Sequence, residues 1–186
     1  MDGLLEDGMR LVRFGGAMSL DGYIAGPNGE YDWIPMDPDF DNAAMWRQFD
    51  TFLIGRKTWE AMVRMGNAKP TRSMKYIVCS RTMTTTTYED VPVESDATRA
   101  VARLREEPGR DIAIFGGGEL FRSLLAADLV DRVEVAVVPI LLGGGVSLLP
   151  PPSGSARLKL RKLQPSESTG TVLLEYDIVR KNGHRL

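Results

Sequence analysis

Cysteine and histidine are nearly absent from this sequence: Cys79 is the one cysteine and His184 the one histidine in 186 residues. A lone cysteine excludes an internal disulfide and any multi-cysteine metal centre. A lone histidine in the polar stretch "KNGHRL" argues against a zinc hydrolase and a His-based triad, and it reads as a solvated tail residue. An excess of positive charge is missing too. With 23 Lys and Arg against 25 Asp and Glu, the net charge of −2 gives no field to gather nucleic acid or an anionic membrane. The apolar runs reach about half of the roughly 20 residues that span a bilayer. "MDGLLEDGMRLVRF" also lacks a charged segment followed by an apolar one, so a cytoplasmic protein is expected.

What remains is an ordinary globular composition, 43% hydrophobic and 26% charged, long enough for one well-packed domain and short for two. Residues 1–9 read as an extension, with Met9 a natural start. Residues 10–182 form the domain and 183–186 a tail.

The pattern along the domain alternates strand and helix. "RLVRFGGAMS" is a first strand, "DG" at 21 and 22 a turn, and "YIAG" a short strand before a Pro/Asn/Gly loop. In "DPDFDNAAMWRQFD", Asp37, Asp39 and Asp41 are cap candidates, and Phe40, Ala44, Trp46 and Phe49 mark one helix face. "TFLIG" and "KYIVCS" are strands, with the helix "RKTWEAMVRM" between them and a threonine-rich loop after the second. "DATRAVARLREEPG" is a helix closed by Pro108 and Gly109. "DIAIF", "GGGELFRSLLAADLV" and "DRVEVAVVPIL" are strand, helix and strand. The closing segments "ARLKLRKLQ" and "TVLLEYDIVRK" alternate with period two around "PSESTG", which predicts an antiparallel hairpin. An α/β domain with a mixed sheet is expected.

Ligands of open α/β sheets bind beyond the carboxyl ends of strands, where helix N-termini aim free N–H groups at anions. Three such ends carry suggestive loops: "GRKT" (55–58), "SRT" (80–82) and "GGGE" (116–119). Arg56 with Thr58, and Arg81 with Ser80 and Thr82, suit forked recognition of phosphate oxygens. The glycines let backbone approach a pyrophosphate. Singly, each loop is equally a solvated helix start or a packing turn; their joint occurrence is what points to a nucleotide. A Rossmann fingerprint read from Gly116 fails at Phe121, and no Walker A motif follows the glycines.

In order and spacing, "GAMSLDGYIAG", "FLIGRKTWEAM", "YIVCSRT" and "IAIFGGGELFRSLL…LVDRVEVAVVPILLGGG" resemble the dihydrofolate reductase-like superfamily. Within it the likeness is to stand-alone relatives of the reductase domain of bifunctional riboflavin biosynthesis proteins. The resemblance covers roughly residues 10–180 and implies a three-layer fold around a mixed sheet of about eight strands, a homodimer, and NADPH as cofactor. It would set Ala17 and Ile24 along the nicotinamide. Gly55, Arg56, Lys57 and Thr58 would meet the phosphates, and Ser80, Arg81 and Thr82 the 2′-phosphate. Gly116, Gly117, Gly118, Glu119, Leu120 and Phe121 would wrap the pyrophosphate and nicotinamide ribose. The second triplet, Gly143 to Gly145, would be a loop near the substrate end or a subunit contact.

The resemblance implies hydride transfer from NADPH to an imine-like or carbonyl carbon of a heterocycle: a ribosylamino-pyrimidine of the riboflavin type, or dihydrofolate or another pterin. The proton would come from water or from Asp21, Asp39 or Asp41, and Asp39 and Asp41 serve equally as helix caps. Asp21, Tyr23 and Trp33 are substrate-side candidates, although Tyr23 stands where the riboflavin branch tends to carry a lysine, which weakens the case for a phosphorylated ribose. Trp46 suits the core, and Val133, Val135 and Val137 suit either core or subunit contact. No deaminase pattern is present. A non-catalytic NADPH- or folate-binding protein and a reductase of a specialised metabolite are the alternatives.

Overall fold

The computed structural model describes residues 9–68 and 74–180. Of the expected extension only Met9 falls among them, and His184 with the rest of the tail lies outside. Chain order is β1 (Val12–Ser19), β2 (Tyr23–Ala25), α1 (Asn42–Trp46), β3 (Phe49–Gly55), α2 (Arg56–Arg64), β4 (Lys75–Cys79) and β5 (Val93–Glu94). There follow α3 (Ala97–Glu106), β6 (Asp111–Ile114), α4 (Gly118–Ala126), β7 (Arg132–Val138), β8 (Val146–Ser147), β9 (Arg157–Pro165) and β10 (Val172–Val179).

Eight strands form one sheet in the order β5-β4-β3-β6-β1-β7-β10-β9, and β2 pairs with β8 apart from it. The strands from β5 to β7 run parallel, and β10 is antiparallel to both its neighbours. The apolar run of β3 shows why three layers form. Leu53 enters one core while Phe52 and Ile54 enter the other, so both faces must be covered. β4 divides Ile77 from Val78 in the same way, and β6 divides Ile112 and Ile114 from Ala113. Helices α3 and α4 cover the first core with Val101, Leu104, Leu120 and Leu124; α2 covers the second with Trp59, and α1 leans on it with Met45 and Trp46. The mixed sheet, the three layers and the terminal hairpin match the expected fold.

Helix starts follow their capping chemistry. Asp96 accepts hydrogen bonds from the backbone of Thr98 and Arg99 at 3.0 and 3.1 Å and opens α3. The helix expected through "DPDFDNAAMWRQFD" shrinks to α1, and Phe49 becomes the first residue of β3. Asp41 caps α1 by accepting from the Ala44 N–H at 2.9 Å. Asp37 and Asp39 are drawn instead to the β9–β10 turn, where the single Ser166 hydroxyl lies 3.0 Å from both and is shared between them, Thr169 donates to Asp37 and the Ser168 N–H to Asp39. Val133 and Val135 are buried inside the chain and Val137 packs against the same cluster, so core packing accounts for that alternation.

Candidate active site

The three glycine and arginine loops sit at the carboxyl ends of β4, β3 and β6, which are neighbours in the sheet. Two of them touch. The Gly55 N–H donates to the Gly116 carbonyl at 3.3 Å, and a Cβ on Gly55 would stand 3.6 Å from the Gly117 nitrogen. Gly116 has φ +61°, and a side chain there would press on Thr58 at 3.0 Å. Only glycine combines that conformation with that approach. Helices α2 and α4 therefore begin side by side, capped by the bare backbone of Gly55 and Gly117, with N–H groups free for an anion.

The other cofactor candidates divide by surroundings. Arg56 forms an exposed ion pair with Glu60 at 2.7 Å, and Lys57 is exposed. The Ser80 hydroxyl is buried and occupied, accepting from the Thr82 and Met83 N–H groups at 3.2 and 2.9 Å, so it shapes the turn that leaves Arg81 and Thr82 exposed. Cys79 lies beneath that turn, its thiol pushed up to about 12 by burial and by Glu94, which makes it inert near neutral pH. Glu119 is exposed and pairs with Arg122. Leu120 is buried beside Gly55, and Phe121 stacks on Phe14 in the core with centroids 4.2 Å apart, so its ring stands away from the cleft.

A cleft runs from these loops across the face of β1, β7 and β10, lined also by Ala17 and Ile24. Sheet register orders its floor. One row reads Ala17, Ala136, Leu173, Gln164; the next reads Gly15, Glu134, Glu175, Lys162. Gly15 is exposed although it lies in an inner strand, because no side chain rises from it to fill the space. Trp46 lines the opposing wall and packs edge-on against Phe52 at 5.3 Å, so it serves both the core and the cleft.

The end of the cleft remote from the glycine loops is ionic. Arg13 grips Glu134 through two bonds of 2.6 and 2.8 Å, meets Asp111 at 2.9 Å and Gln48 at 2.8 Å, and lies 4.5 Å over the Phe49 ring. Burial works against the guanidinium charge, yet the Glu134 and Asp111 carboxylates outweigh it and hold its pKa above the ordinary value. Lys162 stands 3.7 Å from Glu175. None of these residues carried a signal in the sequence, since their proximity depends on strands about 120 residues apart.

The substrate-side candidates are not gathered at the cleft floor. Asp21 accepts from the Ser19 hydroxyl at 2.6 Å and from the Leu142 and Gly143 N–H groups at 3.1 and 2.7 Å; the Ser19 bond first, then the two amides, hold its carboxyl below the usual range. Tyr23 pairs with Ser147 in β8, and the Trp33 indole donates to the Glu30 carbonyl at 3.1 Å. These three stand outside the cleft lining. Asp39 lines the cleft, but the Ser168 and Ser166 donors keep its carboxyl low and ionised. Among the described residues no group of three or more acidic, His or Cys side chains is placed to hold a metal, and no helix is long and apolar enough to cross a membrane.

Comparison with known proteins bears on this geometry. A family model described as the RibD C-terminal domain matches residues 10–173. The uncharacterized Bacillus subtilis protein YyaP is 31% identical over 86% of this chain and 90% of its own; YwjB, also uncharacterized, is 30% identical over 78% and 86%. A Shewanella sp. PV-4 protein ascribed to riboflavin biosynthesis has a crystal structure with TM-score 0.79 and 28% identity, covering 91% of this chain and 99% of that one. Dihydrofolate reductase from Enterococcus faecalis, solved with NADP(H), shares the fold at TM-score 0.69 and 19% identity over 90% and 96%.

Proposed function

Because this chain belongs to the RibD C-terminal domain family, we propose that it is an NADPH-dependent reductase acting on a heterocyclic substrate in the cytoplasm. The observation that carries the reading is the meeting of two helix N-termini, at Gly55 and Gly117, on neighbouring strand ends with Arg81 on the next. A side chain at Gly116 would press on Thr58 at the start of α2, so the loop there is bare backbone, which fits a pyrophosphate. Backbone N–H groups of 56–58 and 117–119 would hold the phosphates, with Arg81 and Thr82 at the 2′-phosphate. NADPH, when bound, supplies a hydride.

The chain's own part is to orient and to exclude water. Ala17 and Ile24 form a dry apolar wall beside the nicotinamide position, and the row of Ala17, Ala136 and Leu173 offers a flat seat for a planar ring. Asp21 and Asp39 each receive several hydrogen bonds that favour the ionised form, so the proton that completes the reduction is drawn from water. The substrate is a pterin or a ribosylamino-pyrimidine. The active unit is a homodimer joined through Leu158, Leu160 and Leu163 on β9, which are 45, 50 and 58% exposed. Those leucines share a sheet face with Leu174, Tyr176 and Ile178, so the apolar surface runs on directly from the core.

The test is NADPH and NADH titration by fluorescence, followed by absorbance at the nicotinamide band with dihydrofolate and with the ribosylamino-pyrimidine. The expected result is preferential NADPH binding and oxidation with one of them. Absence of NADPH binding overturns the reading; binding without turnover of either substrate favours a non-catalytic binding protein.

A further inference from the structure

The second glycine triplet is left without a task by the cofactor geometry, yet it is the centre of a dense local network. Leu20 N–H donates to the Ile140 carbonyl at 2.9 Å, and the Asp21 carboxylate takes the Leu142 and Gly143 N–H groups. Ser19, wholly buried, donates its hydroxyl to Asp21 and accepts from the Tyr23 N–H at 3.0 Å, fixing the carboxylate from behind. Beyond the triplet, Leu148 N–H donates to the Gly22 carbonyl at 3.0 Å, and β8 pairs with β2. Gly143 has φ +69°, and Gly145, φ +143°, lies directly against the Ala25 carbonyl, so both places require glycine.

The same segment then crosses to the first triplet. A Cβ on Gly118 would stand 2.6 Å from the Ser147 carbonyl oxygen, 2.9 Å from that of Leu148 and 2.7 Å from Pro150. Residues 147–150 are thus seated on the first residue of α4. One continuous piece of chain, 140–150, touches the β1–β2 turn at one end and the glycine loop at the other.

We infer that segment 140–150 is a brace that sets β2, with Ile24, and the start of α4 in register with each other, and that Asp21 is the positioning residue that pins it. The inference rests on the reductase reading for its functional consequence, but the brace itself does not. Asp21 acts as an acceptor for two backbone amides, and its contribution to the site passes through Ile24 and Gly118. Loss of a hydrogen bond to a charged group corresponds to roughly a tenfold or larger effect.

The test compares Asp21→Ala, Asp21→Asn and Ser19→Ala in the full chain by amide exchange, NADPH affinity and the pH profile of turnover. Asp21→Ala is expected to speed exchange of the Leu142 and Gly143 amides about tenfold or more and to weaken NADPH by a similar factor. Asp21→Asn, which keeps one acceptor oxygen, should recover part of both, and Ser19→Ala should give a smaller change that does not add to that of Asp21→Ala. Under saturating NADPH the limbs of the pH profile should stay where they are. Unchanged exchange at Leu142 and Gly143 overturns the brace whatever the reaction. A pH limb lost in Asp21→Asn with NADPH affinity intact overturns the positioning role in favour of acid-base chemistry. Should the unaltered chain fail to bind NADPH, the reductase reading falls while the exchange measurement still decides the brace.

Discussion

Arg81 and Arg13 show how one residue type serves opposite ends of the cleft. Arg81 is exposed at the end of β4, where its fork can meet a phosphate. Arg81→Ala should weaken NADPH by about 1.5–3 kcal/mol, the scale of a charge-assisted hydrogen bond, and leave NADH nearly unchanged. Equal losses for both cofactors in the titration would refute the 2′-phosphate role. Arg13 is buried and paired with both Glu134 and Asp111, so removing the Glu134 charge leaves the guanidinium with Asp111 as its remaining carboxylate. Glu134→Gln, which weakens the charge-assisted bonds while Asp111 stays, should destabilise the fold by about 1.5–3 kcal/mol in chemical denaturation. A loss below 1 kcal/mol would mean that water already reaches the pair.

At the scale of elements, the β9–β10 hairpin and the loop before α1 are joined by Asp37 and Asp39. The hairpin itself is plain in the period-two pattern around "PSESTG"; its attachment is not, because Ser168 and Asp39 are 129 residues apart. The same attachment explains the shortened α1, since carboxylates used across space cannot cap a helix locally. The Asp39 carboxyl is held below its unfolded value, chiefly by the Ser168 N–H, so its stabilising contribution is complete above the unfolded pKa near ~4 and is lost as pH falls through the lower folded value. Amide exchange at Ser168, corrected for intrinsic rate, should therefore accelerate in the native chain as pH falls through that lowered folded value, beneath the ordinary carboxylate range. In Asp39→Ala it should be fast at all pH; a flat, slow profile in both would remove the carboxylate from the seam.

For the whole molecule, the exposed leucine face of β9 is the surface through which the proposed dimer would form. Its other face carries Lys159 and Lys162, and charged edge strands resist pairing edge to edge, so a second copy would meet the leucines face to face. Sedimentation equilibrium should show a dimer at micromolar concentration, and Leu160→Glu with Leu163→Glu should yield a folded monomer. A monomeric native chain would end the proposal.

The sequence by itself determined most of the order of strands and helices, the mixed sheet with its terminal hairpin, and the three loops at neighbouring strand ends. Each of these rests on short-range chemistry: an apolar run, a capping carboxylate, glycines where a helix begins. Two elements escaped it, β5 and β8, because each is two residues long and exists only through its partner strand. Tertiary structure alone decided the ionic end of the cleft and the fate of the acids. Glu134 reaches Arg13 across 121 residues, Asp21 reaches Gly143 across 122, and whether a carboxylate is a free acid or an anchor depends on those distant donors.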